Sequence, residues 1–287
     1  MTEQILYQLD RNSSGQIIWK DGQKEEIIRL YVEEHMSMNK LRELFGGLHY
    51  NTIKKILLDN GIQPRTRAQS HYQDNREENI FEVIDTEEKA YWLGFLAADG
   101  CVHGNYIIIS LQGKDKEHLE KFKKFLKADS ITIRETTRVD TKGKLRPYCH
   151  FSIGCKKMVE DLKKLGIVER KSLILKPPVI DEKFYYDWIR GFFDGDGGLS
   201  YSKKNNRWQS YANSTKEVLQ WITNVLNINT TPFQQQHYGK KDNVWRIHFN
   251  GRINVYNVWN KIMHDNKATI YLERKYQKYL QLRKTFK

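Results

Sequence analysis

Apolar positions in the first 65 residues recur at helical spacing. Ile27, Leu30 and Tyr31 share one face of Lys24 to Glu34; Leu41, Leu44 and Phe45 share one face of Met38 to Phe45; Ile53, Ile56 and Leu57 share one face of Tyr50 to Asn60. Gly46-Gly47 separates the second helix from the third, and Gly61 stops the third. Residues 68 to 86 are polar, charged and without a period, which predicts a linker. Beyond it a pattern occurs twice: an apolar helix, two stretches with strand alternation, a helix, two more strands and another helix. In the first copy the strands fall around Tyr106 to Leu111, Ile131 to Val139 and Pro147 to Ile153, with helices over Lys116 to Leu126 and Lys157 to Leu165. In the second the strands fall around Leu199 to Ser202, Arg207 to Tyr211, Phe233 to Tyr238 and Trp245 to Phe249. The helices there cover Lys216 to Leu226 and Asn254 to Met263. A basic helix, Tyr271 to Arg283, follows.

The alternation gives each sheet an apolar and a polar face. Ile131 and Ile133 alternate with Thr132, Arg134, Thr136 and Arg138; Cys149, Phe151 and Ile153 alternate with Tyr148, His150 and Ser152. Trp245, Ile247 and Phe249 alternate with Arg246, His248 and Asn250, and Arg207 and Gln209 join the polar set. A merely solvated face would typically mix Lys with Glu. Arginine among hydrogen-bonding neutral residues suits base edges in the major groove.

The leading helices of the two copies say nearly the same thing. Tyr91-Trp92-Leu93-Gly94-Phe95-Leu96-Ala97-Ala98-Asp99-Gly100 and Asp187-Trp188-Ile189-Arg190-Gly191-Phe192-Phe193-Asp194-Gly195-Asp196-Gly197 are apolar, carry a central glycine and end on Asp-Gly. A glycine within a helix costs about 1 kcal/mol relative to alanine, and close approach of another backbone is the usual compensation. If these helices pack near-parallel, Asp99 and Asp196 emerge side by side. Paired carboxylates bind divalent metal, and a metal pair can clamp the attacking and leaving oxygens of a phosphodiester.

These segments resemble the two signature motifs of the LAGLIDADG homing endonucleases, in the form where one chain carries both halves. The resemblance implies an α+β fold of two pseudo-symmetric αββαββα half-domains, residues 87–178 and 179–287, forming a DNA-binding saddle with the motif helices at its interface. It implies that Asp99 and Asp196 are catalytic and bind Mg2+, with Mn2+ substituting, and that the carbonyls of Ala98 and Gly195 add metal contacts. Ala97 stands where the second motif has Asp194, a position that is not the family's metal ligand. The family often places a Gln late in the second strand to position water. Gln112 matches it, with Ala212 as its counterpart. A basic residue commonly helps near the scissile phosphates, and aligning Phe151-Ser152-Ile153 with Ile247-His248-Phe249 puts Lys156 opposite Arg252 as candidates. Each is otherwise an ordinary solvated residue at a helix start.

Residues 1–67 resemble a small all-α helix-turn-helix domain, in which the last helix enters the major groove. Its exposed face would present His49, Tyr50, Asn51, Lys54 and Lys55, and the turn Gln63-Pro64-Arg65-Thr66-Arg67 would bring Arg65 and Arg67 to phosphates. A protein-interaction bundle would show the same spacing.

Charge sharpens this division. The net charge is +13, yet residues 1 to 75 hold 10 Lys/Arg against 10 Asp/Glu, so the whole excess lies beyond residue 75. A basic chain gains affinity for nucleic acid by releasing counterions. No apolar run approaches the roughly 20 residues of a spanning helix, and Met1-Thr2-Glu3-Gln4 opens no signal peptide. Cys101, Cys149 and Cys155 are odd in number and lack CxxC spacing, which reads as reduced thiols in an intracellular protein, in the cytoplasm of a bacterial or phage-infected cell or in an organelle. The expected function is that of a monomeric, site-specific double-strand DNA endonuclease. It would cut a long, non-palindromic site, one strand per carboxylate centre, leaving staggered ends. Two alternatives are a transcription regulator whose similar domain no longer cuts and a maturase acting on intron RNA. Two adjacent acidic residues near phosphates would give metal-free DNA binding nothing. An intein is disfavoured by the initial Met and by an end at Lys284-Thr285-Phe286-Lys287 without His-Asn.

Overall fold

The structure, a computed structural model, describes residues 7–34, 36–65, 76–140, 143–237 and 240–286. It divides into two compact units, residues 1–74 and 75–287.

The first unit is built on three short helices, α1 (Gln23–Val32), α2 (Met38–Leu44) and α3 (Tyr50–Asp59). Ser37 caps α2 by accepting from the Lys40 amide, and His49 caps α3 by accepting from the Asn51 amide. Between them Gly46 and Gly47 both take positive φ, 64° and 83°, which only glycine adopts freely in succession. Ile27, Leu41, Phe45, Leu48, Ile53 and Leu57 are fully buried at the centre. Leu44 departs from the expected inward set and is exposed, because Leu41 and Phe45, one turn apart, already fill that face. The unit is also not all-α. A short hairpin of β1 (Asp10–Arg11) and β2 (Ile17–Ile18) precedes the helices, too brief to produce a readable alternation.

The second unit carries two αββαββα runs. The first is α4 (Glu87–Asp99), β3 (Gly100–His103), β4 (Tyr106–Gln112), α5 (Lys116–Phe125), β5 (Arg134–Val139), β6 (Leu145–Gly154) and α6 (Lys156–Lys164). The second is α7 (Tyr185–Asp196), β7 (Gly197–Ser202), β8 (Arg207–Ser214), α8 (Lys216–Leu226), β9 (Phe233–His237), β10 (Lys240–Asn250) and α9 (Arg252–Ile262), followed by α10 (Glu273–Lys284). Each run forms a four-stranded antiparallel sheet of the same topology, ordered β3-β4-β6-β5 and β7-β8-β10-β9. Ile107, Ile109, Phe151 and Ile153 of the first sheet, and Ala212 and Ile247 of the second, are fully buried in one continuous core with the helices. The expected linker ends early. Residues 68–75 lie outside the described residues, but Ile80 and Phe81 are buried in this core and the Arg76 guanidinium donates to the Gly154 carbonyl at 2.7 Å. Two adjacent apolar residues in a polar stretch carry no period, so their burial is not visible in the sequence.

The motif helices α4 and α7 form the central contact. A Cβ built on Gly94 would lie 2.0 Å from the Trp188 carbonyl oxygen, and one on Gly191 would lie 1.9 Å from that of Tyr91. The backbones touch where each helix lacks a side chain. Contacts advance together along both helices, ending where a Cβ on Gly195 would meet the Ala98 Cβ at 2.3 Å, so the two run in the same sense with their C-termini together.

Gly94→Ala or Gly191→Ala is therefore expected to destabilise the second unit by roughly 3 kcal/mol or more, the upper end of overpacking costs, despite a helix-propensity gain of about 1 kcal/mol. Urea unfolding of each variant checks this. An unchanged or raised midpoint would contradict the close contact.

Candidate functional site

Each motif helix passes directly into a strand: α4 ends at Asp99 and β3 starts at Gly100, while α7 ends at Asp196 and β7 starts at Gly197. Gly100 and Gly197 are extended rather than left-handed, with φ of −75° and −100°. They are glycine for a steric reason: a Cβ would strike the helix's own carbonyl, Leu96 O or Phe193 O, at 2.6 Å.

This junction brings Asp99 against the end of the second motif helix, with Asp196 one residue beyond the contact. A Cβ on Gly195 would lie 3.3 Å from the Asp99 carboxyl carbon. Burial, then the neighbouring Asp196 charge, pushes the Asp99 carboxyl up to about 6, and burial raises Asp196 against the pull of Lys171 and Lys275.

Those lysines were not among the residues singled out by sequence. Lys171 is buried and donates to the Gly100 carbonyl, with its ammonium 3.4 Å from that of Ala98, one of the carbonyls expected to contact metal. Lys275 is buried and donates to the carbonyls of Phe193, Asp194 and Gly197 at 2.5, 2.7 and 2.7 Å. Each half thus folds a lysine back onto the C-terminal end of its own motif helix, where the helix dipole is negative. Burial lowers Lys275 to about 8 and lowers Lys171 as well. A sequence signal existed: Glu169-Arg170-Lys171 and Glu273-Arg274-Lys275 repeat one tripeptide after each half.

Lys156 and Arg252 lie elsewhere. Lys156 is exposed and pairs with Glu160 at 3.6 Å, one turn along α6; Arg252 donates to the Thr285 carbonyl at 3.0 Å and stacks on Phe286. Both start helices at the far ends of strands β6 and β10, so the register that aligned them put neither beside a carboxylate. Gln112 ends β4 on the open face, three residues past Ile109, the partner of Gly100, or roughly 10 Å along the strand. Its counterpart also changes. Gly197 pairs with Ala212, so Ala212 matches Ile109, and Thr215 takes the place of Gln112. The β7–β8 hairpin is longer than β3–β4, which shifts any count made along the chain.

Asp194 has a separate task. Its Oδ2 accepts from the Tyr91 hydroxyl at 2.8 Å and the Leu272 amide at 2.7 Å, tying both motif helices to the segment before α10. His118, lowered to about 3 by burial and hence neutral, has its Nε2 3.0 Å from the same hydroxyl. Arg274 Nε lies 3.0 Å from each carboxylate oxygen of Asp115, fixing α10 across to the first half.

Among the described residues, the group whose side-chain atoms converge closely enough to hold a metal ion is Glu87, Asp187 and His264, within 4.8 Å of one another. It sits at the opposite, N-terminal end of the motif helices. Asp187 there is already matched by Arg190 and His264, each at 2.8 Å.

The open sheet faces carry the predicted polar residues. In the first sheet Arg134 is paired with His150, Thr136 with Tyr148 and Arg138 with Arg146, with Thr132 exposed just ahead of β5. His150 Nδ1 lies 2.8 Å from the Ser110 hydroxyl. In the second, Arg246 pairs with Asn213, His248 with Tyr211 and Gln209 with both Asn250 and Ser200, while Arg207 lies at the hairpin end. Arg246 donates to Asn213 Oδ1 at 2.7 Å and covers the Tyr211 ring. Burial lowers both His150 and His248, keeping them neutral. Glu135, between Arg134 and Thr136, is exposed too, because β5 is an edge strand open on both sides. In the first unit Tyr50, Asn51, Lys54 and Lys55 are exposed on α3. Arg65 is not a free cation: it donates to the carbonyls of Tyr31 and Met36 at 3.1 and 2.8 Å and stacks on the Tyr31 ring. Arg67 lies outside the described residues.

Residues 183–263, covering α7 to α9, match the LAGLIDADG-like domain family. The match falls on the second αββαββα run. An uncharacterized protein of Methanocaldococcus jannaschii is 28% identical over 174 residues, covering 58% of this chain and 63% of that protein, so the chain spans less than two thirds of the length of this curated relative. Among solved structures, the homing endonuclease I-WcaI bound to its DNA recognition sequence aligns with a TM-score of 0.45 and 15% identity, covering 73% of this chain and 91% of that one. The N-terminal LAGLIDADG domain of DUF199/WhiA aligns with a TM-score of 0.42 and 16% identity, covering 75% and 96%. No helix among the described residues is long and apolar enough to cross a membrane.

The raised Asp99 makes a pH prediction. A folded pKa above the unfolded one of 3.8 contributes stability below that value, and the contribution is lost as pH rises through about 6. Asp99→Asn is therefore expected to be more stable than the parent at neutral pH in metal-free buffer, by up to about 3 kcal/mol, with the gap closing by pH 4. Thermal unfolding across pH checks this; equal midpoints at neutral pH would contradict the buried, crowded carboxylate.

Proposed function

We propose that the protein is a double-strand DNA endonuclease whose LAGLIDADG helices end in a shared divalent-metal centre. The observation that carries this reading is the meeting of Asp99 with the end of the second motif helix, both acids partly buried and both held above their ordinary pKa. Adjacent carboxylate oxygens are the hard donors that Mg2+ takes, and Mn2+ would fit the same set. Asp99 and Asp196 would hold the ion, with the Gly195 carbonyl beside them and the Ala98 carbonyl shared with Lys171. When bound, it would stabilise charge on the phosphate and the leaving oxygen.

The chain's own groups supply the rest. Lys171 and Lys275 hold the helix ends in place and add fixed positive charge beside the carboxylates, in the role first given to Lys156 and Arg252. The open faces, with Arg134, Arg138 and Arg246 among neutral Thr, Gln, Tyr and His, read base edges along a long duplex, while Arg207 at the hairpin end turns toward the start of α9. Because the two faces differ in sequence, the site read is non-palindromic. The first unit adds contacts through Tyr50, Asn51, Lys54 and Lys55, while Arg65 is engaged with carbonyls of its own unit.

On a target selected from a randomised duplex library, Asp99→Asn and Asp196→Asn are each expected to abolish double-strand cleavage in Mg2+ while keeping parental affinity in a gel-shift assay. Cleavage by either variant at the parental rate would refute the assignment; duplex binding by the parent with no cut under any divalent metal would favour DNA binding alone. Arg134→Ala and Arg246→Ala are each expected to cost about 1–3 kcal/mol in discrimination and to relax preference at separate positions of the site. Selection of cut sites with each variant reads this directly, and unchanged affinity and preference in both would contradict readout by the open faces.

A further inference from the structure

A cationic cavity of the second unit lies away from the carboxylates. An open cleft of about 690 Å³ lies where the far end of the β7–β8 hairpin meets the start of α9 and the outer turns of α10. It is lined by Lys203, Arg207, Arg252 and Lys278 together with Tyr201 and Trp208, and no carboxylate lines it. Among the described residues none of these four cations is paired with an acidic side chain. Like charges repel, so four unmatched cations around one space are an electrostatic cost that an anion relieves.

The aromatic residues narrow the ligand. Tyr201 and Trp208 are register partners, with ring centroids 5.3 Å apart, and Trp208 is buried on the helix-covered side of the sheet. Tyr201 keeps part of its ring exposed, at 40%. The cavity therefore opens on the side that α9 and α10 cover, opposite the face bearing Gln209, Tyr211 and Arg246. It begins at Tyr201, four residues along β7 from Gly197, about 13 Å away. A duplex lying on the open face does not fill it. A flat base against Tyr201 with phosphates among the cations matches how single strands are held, by stacking platforms within positively charged grooves. The volume suits one or two nucleotides.

We propose that this cavity is a second nucleic-acid site, one that takes nucleotide units of a single strand. It goes beyond the cleavage reading and does not depend on it. The test uses the full chain and a fluorescein-labelled oligothymidylate of about eight nucleotides, with a non-specific duplex as the parallel probe, followed by anisotropy. Tyr201→Ala is expected to weaken single-strand binding by roughly 5- to 150-fold. Lys278→Ala, a surface change, is expected to lower the slope of log affinity against log salt by about 0.7. Both variants should bind the duplex as the parent does, and Asp99→Asn should bind the oligomer as the parent does, so loss of cutting and loss of this site are separate results. If thymidine monophosphate displaces the oligomer at equal affinity, the occupant is a free nucleotide; if it does not, it is a strand. Parental oligomer binding in both cavity variants, equal loss of oligomer and duplex, or no oligomer binding by the parent would overturn the proposal.

Discussion

The backbone contact between the motif helices at Gly94 and Gly191 governs the rest of the second unit. With carbonyl oxygens of one helix seated where the other lacks a Cβ, the helices approach more closely than the usual 8–10 Å spacing allows side chains to do. That approach carries their C-termini together and leaves little room at the end for anything larger than Gly195. Two acids at those ends are consequently crowded and partly withdrawn from water. Their shifted protonation follows from packing, and packing follows from two glycines that helix propensity alone would reject.

Around this contact the molecule is asymmetric in instructive ways. Lys171 and Lys275 act alike, each closing the end of its own motif helix. Asp194 has no acidic counterpart, because only the second motif must anchor the start of α10, through Leu272, and meet Tyr91 of the first. Buried Arg190 likewise occurs once. It donates to the carbonyls of Ile262 and Ile270 and matches Asp187 at the N-terminal ends of the helices, while at the C-terminal ends Lys171 and Lys275 only partly offset Asp99 and Asp196, whose carboxyls stay raised. The proposed metal centre therefore lies at the C-terminal ends.

What the sequence reveals here depends on whether the cause is local. Glycine within an apolar helix is a local anomaly, and the alternation of Cys149, Phe151 and Ile153 with Tyr148, His150 and Ser152 is a local period; both lead to the observed helix pair and sheet faces. The buried lysines are a tertiary result. Lys275 sits on a basic helix beside Arg274 and Lys278, and nothing in composition separates the one that turns inward, although Lys275, Tyr279 and Leu282 follow the inward period. The Glu-Arg-Lys repeat was the available clue. Gln112 was misaligned for a similar reason: hairpin length is set by turn geometry, so counting along the chain fails where β7–β8 outgrows β3–β4. Ile80 and Phe81 were hidden because two apolar residues have no period to show.

The central claim is that this contact creates a divalent-metal site from Asp99 and Asp196. Electron paramagnetic resonance of Mn2+ titrated into the full chain tests it most directly. The account predicts bound Mn2+ in the parent, displaced by Mg2+ and lost in the Asp99→Asn, Asp196→Asn double variant. Equal Mn2+ binding by parent and double variant, or none by the parent, would contradict it.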